Sequence, residues 1–358
     1  QNLPNKLAVL SLALECGDSG HNSVMIPGRC PLNPLPKKSM KSLFTIVLAG
    51  LIAFAAPDSI AGSIKVTTTP VPLNSEDPNQ TDVGKLRYRG GIAMRSSDAT
   101  FGGLSGLAVS ANGKRLFSVT DTGRRLAARI VYGENGDLAG LRRTDLDTLS
   151  GLDGEPLKAK SESDAESISP GVEGEIIVSF ERRHRLWRYM PGQVLPEPLP
   201  PPDELADMKK NSGIEALTLL ADGSLIAITE GSNKSDSALA WISSAEGWSV
   251  MTYVTNDKFR PTGAATMANG DVLVLERRFT LRAGVAVRIG RLKGTSIRAG
   301  ARLRPQIIAE LRPPLTVDNF EGIEVNQSAD GRNWIYIISD DNFSPLQRNL
   351  LMMFELME

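Results

Sequence analysis

The chain has 358 residues, of which 23% are charged and 41% are hydrophobic, and its formal net charge is -1. A charge balance this close to neutral excludes a basic nucleic-acid surface and an acidic disordered tail, so we expect no nucleic-acid partner. Aromatic residues make up only 5%, which disfavours a carbohydrate-stacking platform.

An export signal is predicted at residues 40–61. Lysines lie near its start, an apolar run covers 43–56, and small residues offer cleavage sites before Ala56 and before Gly62. This order of basic, apolar and small residues is typical of a secretory signal peptide. The run is too short for a comfortable membrane span, so we expect an exported protein, periplasmic or extracellular, with no stable membrane span. A retained or lipid-anchored helix is the alternative.

Residues 1–39 precede this signal, and we expect them to be an upstream extension, with Met40 as the true start. On that reading Cys16 and Cys30 are never made, and His184 is the one histidine left. Thiol catalysis, Cys-zinc sites and multi-histidine metal sites are then excluded. If the longer form is made, the two cysteines can pair, but only outside the folded domain.

Two segments follow the signal. Residues 62–84 are rich in Pro, Thr, Asn and Asp, which predicts a linker. Over residues 85–358 short alternating strands recur between turn signals, and helical periodicity is almost absent. This pattern is typical of a single all-β domain built as a sandwich, a barrel or a propeller.

Five similar segments decide among these all-β folds. They begin at Gly103, Asp164, Gly213, Pro261 and Asn319, at intervals of roughly 50 to 60 residues, which suits a propeller blade of four strands. The first aligned column holds Ser105, Glu166, Glu215, Gly263 and Glu321. The second holds Asp121, Glu181, Glu230, Glu276 and Asp340.

In each segment the two columns flank an Asn-Gly, Asp-Gly or Glu-Gly pair near their midpoint. Such pairs predict a tight hairpin with a type I′ turn, in which both central residues have positive φ. The two columns therefore face each other at the open end of every hairpin, with Cβ atoms about 5 Å apart.

If the hairpins are blades arranged radially, their open ends meet around one mouth that holds eight carboxylates. Like charges at about 4 Å repel by roughly 4 kcal/mol at an effective dielectric constant near 20, so such a ring needs solvent, arginine or a cation. Hard oxygen donors without His or Cys favour Ca²⁺ or Mg²⁺, and calcium suits an exported protein. A purely structural role for these acids is the alternative.

Pairs of arginines directly follow two of the second-column acids: Arg182 and Arg183 after Glu181, and Arg277 and Arg278 after Glu276. Because a guanidinium is a planar, bidentate donor, we predict that Arg182, Arg277 and Arg278 bind phosphate. Salt bridges that neutralise the acid ring are the alternative.

The motifs "GGLSGL", "DAESI" and "LVLERRF", and especially "DNFEGIEV" with "SDDNFSPLQRNLLMMFEL", resemble the phytase-like domain family, named for an esterase-like activity of phytase. The resemblance covers residues 85–358. It implies an exported bacterial protein whose recurrent acids hydrolyse phosphoesters. The matching positions are Glu166, Glu215, Glu321, Asp340, Asp341, Asn342 and the arginines beside Glu276. Ser105 and Gly263 depart from the pattern, which argues against a fully symmetric ring of metal ligands.

Together these observations predict a β-propeller of six blades, the sixth closed by a strand from Leu86 and the C-terminal residues; five and seven blades also fit. The leading hypothesis is a secreted, calcium-dependent phosphoester hydrolase for a small phosphorylated substrate, and the alternative is a non-catalytic propeller that binds a cation or ligand. The predicted catalytic residues are Glu166, Glu321 and Asp340. The predicted metal ligands are Glu166, Glu215, Glu321, Asp340, Asp121 and Glu230.

Overall fold

The structure, a computed structural model, describes residues 62–232 and 235–357. Five sheets, here called blades 1 to 5, account for nearly all of its regular structure. The predicted extension and signal peptide, residues 1–61, lie outside the described residues. In the part that is described, the helices are short: Lys160–Ser163 is α-helical, and Asp203–Asp207 and Gly294–Ser296 are 3₁₀ turns. None of them is long and apolar enough to cross a membrane.

Each blade is formed by strands that are mostly antiparallel. Blade 1 contains β1 (Gly62–Ile64), β5 (Ala108–Val109), β6 (Arg115–Val119), β7 (Arg124–Tyr132) and β8 (Leu138–Thr148). Blade 2 contains β9 (Ala165–Pro170), β10 (Ile176–Phe180), β11 (Arg185–Tyr189) and β12 (Glu197–Leu199). Blade 3 contains β13 (Ile214–Leu219), β14 (Leu225–Thr229), β15 (Ser237–Ser244), β16 (Gly247–Val254) and β20 (Arg302–Leu303).

The last two blades complete the ring. Blade 4 contains β17 (Arg260–Thr266), β18 (Val272–Thr280), β19 (Gly284–Leu292) and β21 (Gln306–Leu311). Blade 5 contains β2 (Val66–Pro70), β3 (Asp82–Val83), β4 (Leu86–Ser96), β22 (Phe320–Gln327), β23 (Asn333–Ser339) and β24 (Asn349–Leu356). The segment 62–84, predicted as a linker, thus contributes strands to blades 1 and 5.

The first strand of each hairpin lies innermost, and the five inner strands close into a ring. Strand β9 contacts β5 and β13, β17 contacts β13 and β22, and β22 returns to contact β5. The predicted β-propeller is therefore confirmed. Its inner strands run in one direction, so their first residues meet at one end of the central channel, which we call the mouth.

The propeller has five blades, a number that the sequence also allowed, rather than the favoured six. The strand from Leu86 and the C-terminal strand do not form a separate blade; β4 pairs with β24, and β24 pairs with β23 of the fifth hairpin. Blade 5 is thus made from both ends of the domain, which closes the ring and removes a free edge. This pairing joins strands far apart in the chain, so no local pattern reveals it.

The hydrophobic core consists of layers between neighbouring blades. Leu275 of blade 4 packs in one cluster with Phe320 of blade 5, and Val178 of blade 2 lies in a cluster with Val119 of blade 1. Burying a side chain of this size contributes roughly 1.5–3 kcal/mol. These layers fix the angle between blades, and with it the position of every inner strand at the mouth.

The hairpin turns lie at the end opposite the mouth. In all five, the glycine has positive φ: Gly113, Gly174, Gly223, Gly270 and Gly331. The residue before each glycine does not, so the turns are not the predicted type I′. They are type I turns followed by a left-handed glycine, with Gly223 N–H donating to Leu220 O and Leu220 N–H to Ser224 O as one example.

Candidate functional site at the mouth

A β-bulge begins the inner strand of blades 2, 3 and 5, and the bulged residue is the first-column glutamate. In blade 5, Phe320 pairs with Ser339 and Gly322 with Ile338, so Glu321 is skipped. The pairing skips Glu166 and Glu215 in the same way. A bulge re-aims the extra side chain, which here turns three glutamates towards the mouth.

In blade 4, the residues that occupy the two column positions differ by one from the predicted Gly263 and Glu276. Pro261 pairs with Glu276 and Gly263 with Leu275, so the bulged residue is Thr262. The residue of β18 next to the Pro261–Glu276 pair, equivalent to Asp340 of blade 5, is then Arg277, which pairs with Arg260. The prediction that Gly263 and Glu276 face the mouth is therefore wrong, because successive strand residues point to opposite faces and a shift of one moves both.

Glu276 lies instead in the interior of blade 4. It is fully buried, and its Oε2 lies 2.6 Å from Arg288 Nε. Burial raises the pKa of Glu276, while the Arg288 guanidinium opposes that shift. This carboxylate has a structural partner and takes no part in the acid ring.

Blade 2 supplies the densest group of carboxylates. Oxygens of Asp164, Glu166 and Glu181 all lie within 4.8 Å of one another. Ca²⁺–oxygen distances are about 2.3–2.6 Å, so one cation can reach three oxygens at this spacing. Sequence reasoning missed Asp164 as a ligand, although it opens the "DAESI" motif, because it precedes the strand and occupies neither column.

Two basic side chains already contact this group of carboxylates. Lys160 Nζ lies 2.5 Å from Asp164 Oδ1 and 3.0 Å from Asp121 Oδ2. Arg182, predicted as a phosphate ligand, forms an ion pair with Asp164. These pairs neutralise part of the charge at the blade 1 and blade 2 side of the mouth.

The acids of different blades interact strongly with one another. Burial raises the pKa of Glu215 well above its usual value, and repulsion from Glu166, Glu181, Glu230 and Glu321 raises it further. The pKa of Glu166 is also raised well above normal, by burial and then by Glu181, Asp164 and Glu321. The predicted ligands Glu166, Glu215, Glu230 and Glu321 therefore lie near enough to one another to interact.

A third basic side chain, Arg277, lies on the blade 4 and blade 5 side of the mouth. Arg277 Nη2 lies 3.2 Å from Glu321 Oε1. Burial raises the pKa of Glu321 to about 7, although Arg277 pulls it down. Burial likewise raises the pKa of Asp340 to about 6, and Asn342 N–H, which donates to Asp340 Oδ1 at 2.6 Å, opposes this.

Asp121 and Asp341 complete the ring on the blade 1 side. Asp341 accepts hydrogen bonds from Gly103 N–H at 3.1 Å and from Asn349 Nδ2 at 2.8 Å. Asp121 repels Asp340, and its Oδ1 is buried without a hydrogen-bond partner in the described structure. Gly103 has φ of 64°, and a Cβ there would lie 2.2 Å from Asp121 Oδ1. Only glycine lets the backbone approach this carboxylate.

Arg278, one of the predicted phosphate ligands, lies outside the mouth. The Arg278 guanidinium lies 4.6 Å from the Phe259 ring centroid, on the face of β18 opposite to Arg277. His184 Nε2 lies 3.1 Å from Lys209 O, and its ring lies near Glu181, whose pKa burial raises and His184 lowers.

A cavity of about 800 Å³ adjoins the mouth between blades 4 and 5. Its wall includes Arg277, which binds Glu321, and Asn342, whose N–H binds Asp340. The cavity therefore borders residues that contact Glu321 and Asp340, although neither acid is part of its wall.

Comparisons with known proteins place the chain in a family. The model of the phytase-like family, described as esterase-like activity of phytase, matches residues 99–343. No curated protein matches.

Solved structures with a similar arrangement differ widely in sequence. A Dyadobacter fermentans protein of unknown function is 12% identical, with a TM-score of 0.41 over 81% of this chain and 91% of that chain. A virginiamycin B lyase from Staphylococcus aureus is 13% identical, with a TM-score of 0.38 over 80% and 99%. A Xanthomonas campestris gluconolactonase is 12% identical, with a TM-score of 0.38 over 82% and 96%.

The family match extends from the loop before Gly103, through the bulged glutamates, to the "SDDNF" segment beside the cavity, and so includes every acid of the mouth. The chain belongs to the phytase-like family.

Proposed function

We propose that the protein is an exported, calcium-dependent phosphoester hydrolase whose active site is the mouth. The observation that carries the proposal is that two features meet at the mouth. Asp164, Glu166 and Glu181 form a close group of carboxylates on one side, the proposed cation-binding group. The Arg277–Glu321 pair borders a cavity on the other.

The side chains present fit a calcium ion. All candidate ligands are carboxylate oxygens, which Ca²⁺ prefers, and the buried Asp121 Oδ1 lacks a donor. The raised pKa values of Glu166 and Glu215, caused by burial and mutual repulsion, are the mark of a site short of positive charge. Glu166, Glu181 and Asp164 would hold the ion, with Glu215 and Glu230 beside them. When bound, calcium would offset negative charge on a phosphoryl group.

Arg277 would position the phosphate. Its guanidinium borders both the cavity and Glu321, and arginine binds phosphate oxygens with two parallel donors. Arg182 is engaged by Asp164, so its contribution is to the charge balance of the cation-binding group.

Glu321 and Asp340 would move protons. A general base works best with a pKa near the working pH, and burial raises the pKa of Glu321 to about 7 and that of Asp340 to about 6. Either carboxylate would accept a proton from the water that attacks phosphorus. Glu166, predicted as catalytic, would act by binding the cation.

A non-catalytic propeller that binds a cation is the second candidate. It is favoured by the ion pairs within the mouth. Lys160, Arg182 and Arg277 each bind one or more of the acids. Such an arrangement stabilises a folded ring without any substrate.

Hydrolysis of bis(p-nitrophenyl) phosphate and p-nitrophenyl phosphate, with calcium and with a chelator, separates the two. We expect calcium-dependent turnover that falls at least about 100-fold in Glu321→Gln, the range for loss of a general base. Glu173→Gln, in an exposed turn at the opposite end, is the matched control. Calcium binding with no turnover of either ester would favour the non-catalytic candidate.

A further inference from the structure

The cavity beside the mouth is lined by both polar and apolar side chains. We call Arg277, Asn319 and Arg348 its polar wall, and Phe279, Val285 and Leu346 its apolar wall. Both sets include residues of β18 and of the loop between β23 and β24. The contact between Arg277 and Glu321 connects the polar wall to the candidate site.

The polar wall suits one anionic group. Arg277 lies 3.2 Å from Glu321, and Arg348 lies 3.0 Å from Asp318, so each guanidinium already has one carboxylate partner. The surrounding mouth is rich in acids. A ligand with many phosphates would meet strong repulsion here, whereas a single phosphate would add little negative charge and would bind through Arg277.

The apolar wall exposes more hydrocarbon than packing requires. The side chain of Leu346 is 92% exposed, and Phe279 is 62% exposed. Single exposed apolar residues are ordinary on a protein surface. These two, however, border the same cavity as Arg277 and Arg348. Ligand sites combine apolar walls for affinity with a few polar groups for orientation in this way.

We propose that the substrate is a monophosphorylated ester of an apolar alcohol or phenol, and that this cavity holds its apolar part against Phe279 and Leu346 while Arg277 holds the phosphate. This inference rests on the proposed function and narrows it to one substrate class. Hydrolysis adds water across the ester bond: a hydroxyl joins phosphorus, the P–O bond to the alcohol breaks, and the alcohol leaves with the proton. Polyphosphorylated polyols are the class that the cavity disfavours.

Binding of alkylphosphonates tests the cavity without any chemical step, because their P–C bond is not hydrolysed. Calorimetry in the presence of calcium would compare hexylphosphonate with methylphosphonate. Each fully buried methylene favours binding about fourfold, so partial burial of the longer chain predicts at least about tenfold tighter binding. Phe279→Ser and Leu346→Ser, both at exposed positions, should each lower that ratio at least about threefold.

Val172→Ser is the matched control, since Val172 is 86% exposed and lies in a turn at the opposite end of the propeller. It should leave the ratio unchanged. Equal affinities for the two phosphonates, no binding of either, or tighter binding of inositol hexakisphosphate than of hexylphosphonate would each overturn the inference.

The outcomes also separate this inference from the proposed function. A clear preference for hexylphosphonate in a protein that hydrolyses no ester refutes hydrolysis and leaves the cavity as a binding site for apolar phosphates. Turnover of phosphoesters without any chain-length preference supports the hydrolase and refutes the apolar cavity.

Discussion

Arg277 of blade 4 contacts Glu321 of blade 5 across the mouth, with 3.2 Å between Nη2 and Oε1. Glu321 is the main cause of the raised pKa of Arg277. The pair joins the candidate phosphate ligand to the candidate base and also bridges two blades. Its position depends on the one-residue register difference of blade 4, which turns Arg277 rather than Glu276 to the mouth.

Arg277→Gln should shift the pH dependence of hydrolysis. Arg277 lowers the pKa of Glu321, so its removal raises that pKa further above about 7. Because a base must be deprotonated to act, the acidic limb of the kcat/KM profile should move to higher pH by roughly one unit. A kinetic profile from pH 5 to 9 measures this shift.

Arg278→Gln is the control for that experiment, because its guanidinium lies over Phe259 outside the mouth. It should leave the acidic limb in place. An identical shift in both variants, or none in Arg277→Gln, would contradict the assigned pair.

Glu276→Gln should destabilise the fold without changing the cation response. Glu276 is fully buried and bound to Arg288, and removing one partner of a buried ion pair costs about 3–5 kcal/mol. Denaturant unfolding should therefore show a lower midpoint, while calcium should raise the midpoint by the same increment as in the wild type. A lost calcium increment would mean that Glu276, not Arg277, faces the mouth.

The free energy of unfolding without calcium should fall as the pH rises from about 4.5 to 7. Burial raises the pKa of Glu321 to about 7 in the folded protein, above its usual unfolded value, so the folded state binds more protons throughout this window. Glu321 alone should lower the free energy of unfolding by on the order of 3 kcal/mol over this window, since a shift of one pKa unit corresponds to 1.36 kcal/mol. The raised pKa of Asp340, to about 6 through burial, acts in the same direction.

Urea unfolding at pH 5 and pH 8, each with calcium and with a chelator, measures this linkage. Calcium should stabilise the protein more at pH 8, because cation ligands must be deprotonated. Stability that rises with pH in the chelated protein would contradict the clustered carboxyls.

Much of the fold was readable from local sequence. The five hairpins were visible because each carries its own turn glycine and alternating strands, and the first-column glutamates of blades 2, 3 and 5 occupy equivalent bulges. The number of blades could not be predicted from local sequence, since the pairing of β4 with β24 joins strands at opposite ends of the domain.

The errors at the site have physical causes as well. An alignment by residue type placed Glu276 with the other acids, but the bulge at Thr262 shifts the ladder by one residue, and only strand pairing reveals it. Asp164 was missed because it lies before the strand. Nothing in the alternating pattern indicates that Phe279 and Leu346 meet at one cavity, since they belong to different blades.

Calcium titration by calorimetry at pH 6.5, in two buffers of different ionisation enthalpy, tests most directly whether the mouth acids form one cation site. We predict saturable binding near one ion per chain with release of at least one proton, because carboxyls whose pKa is raised by burial give up protons when a cation binds. Glu166→Gln should weaken this binding at least about tenfold, while Glu173→Gln should not. Heats no larger than dilution, or binding without proton release that is equal in both variants, would contradict the account.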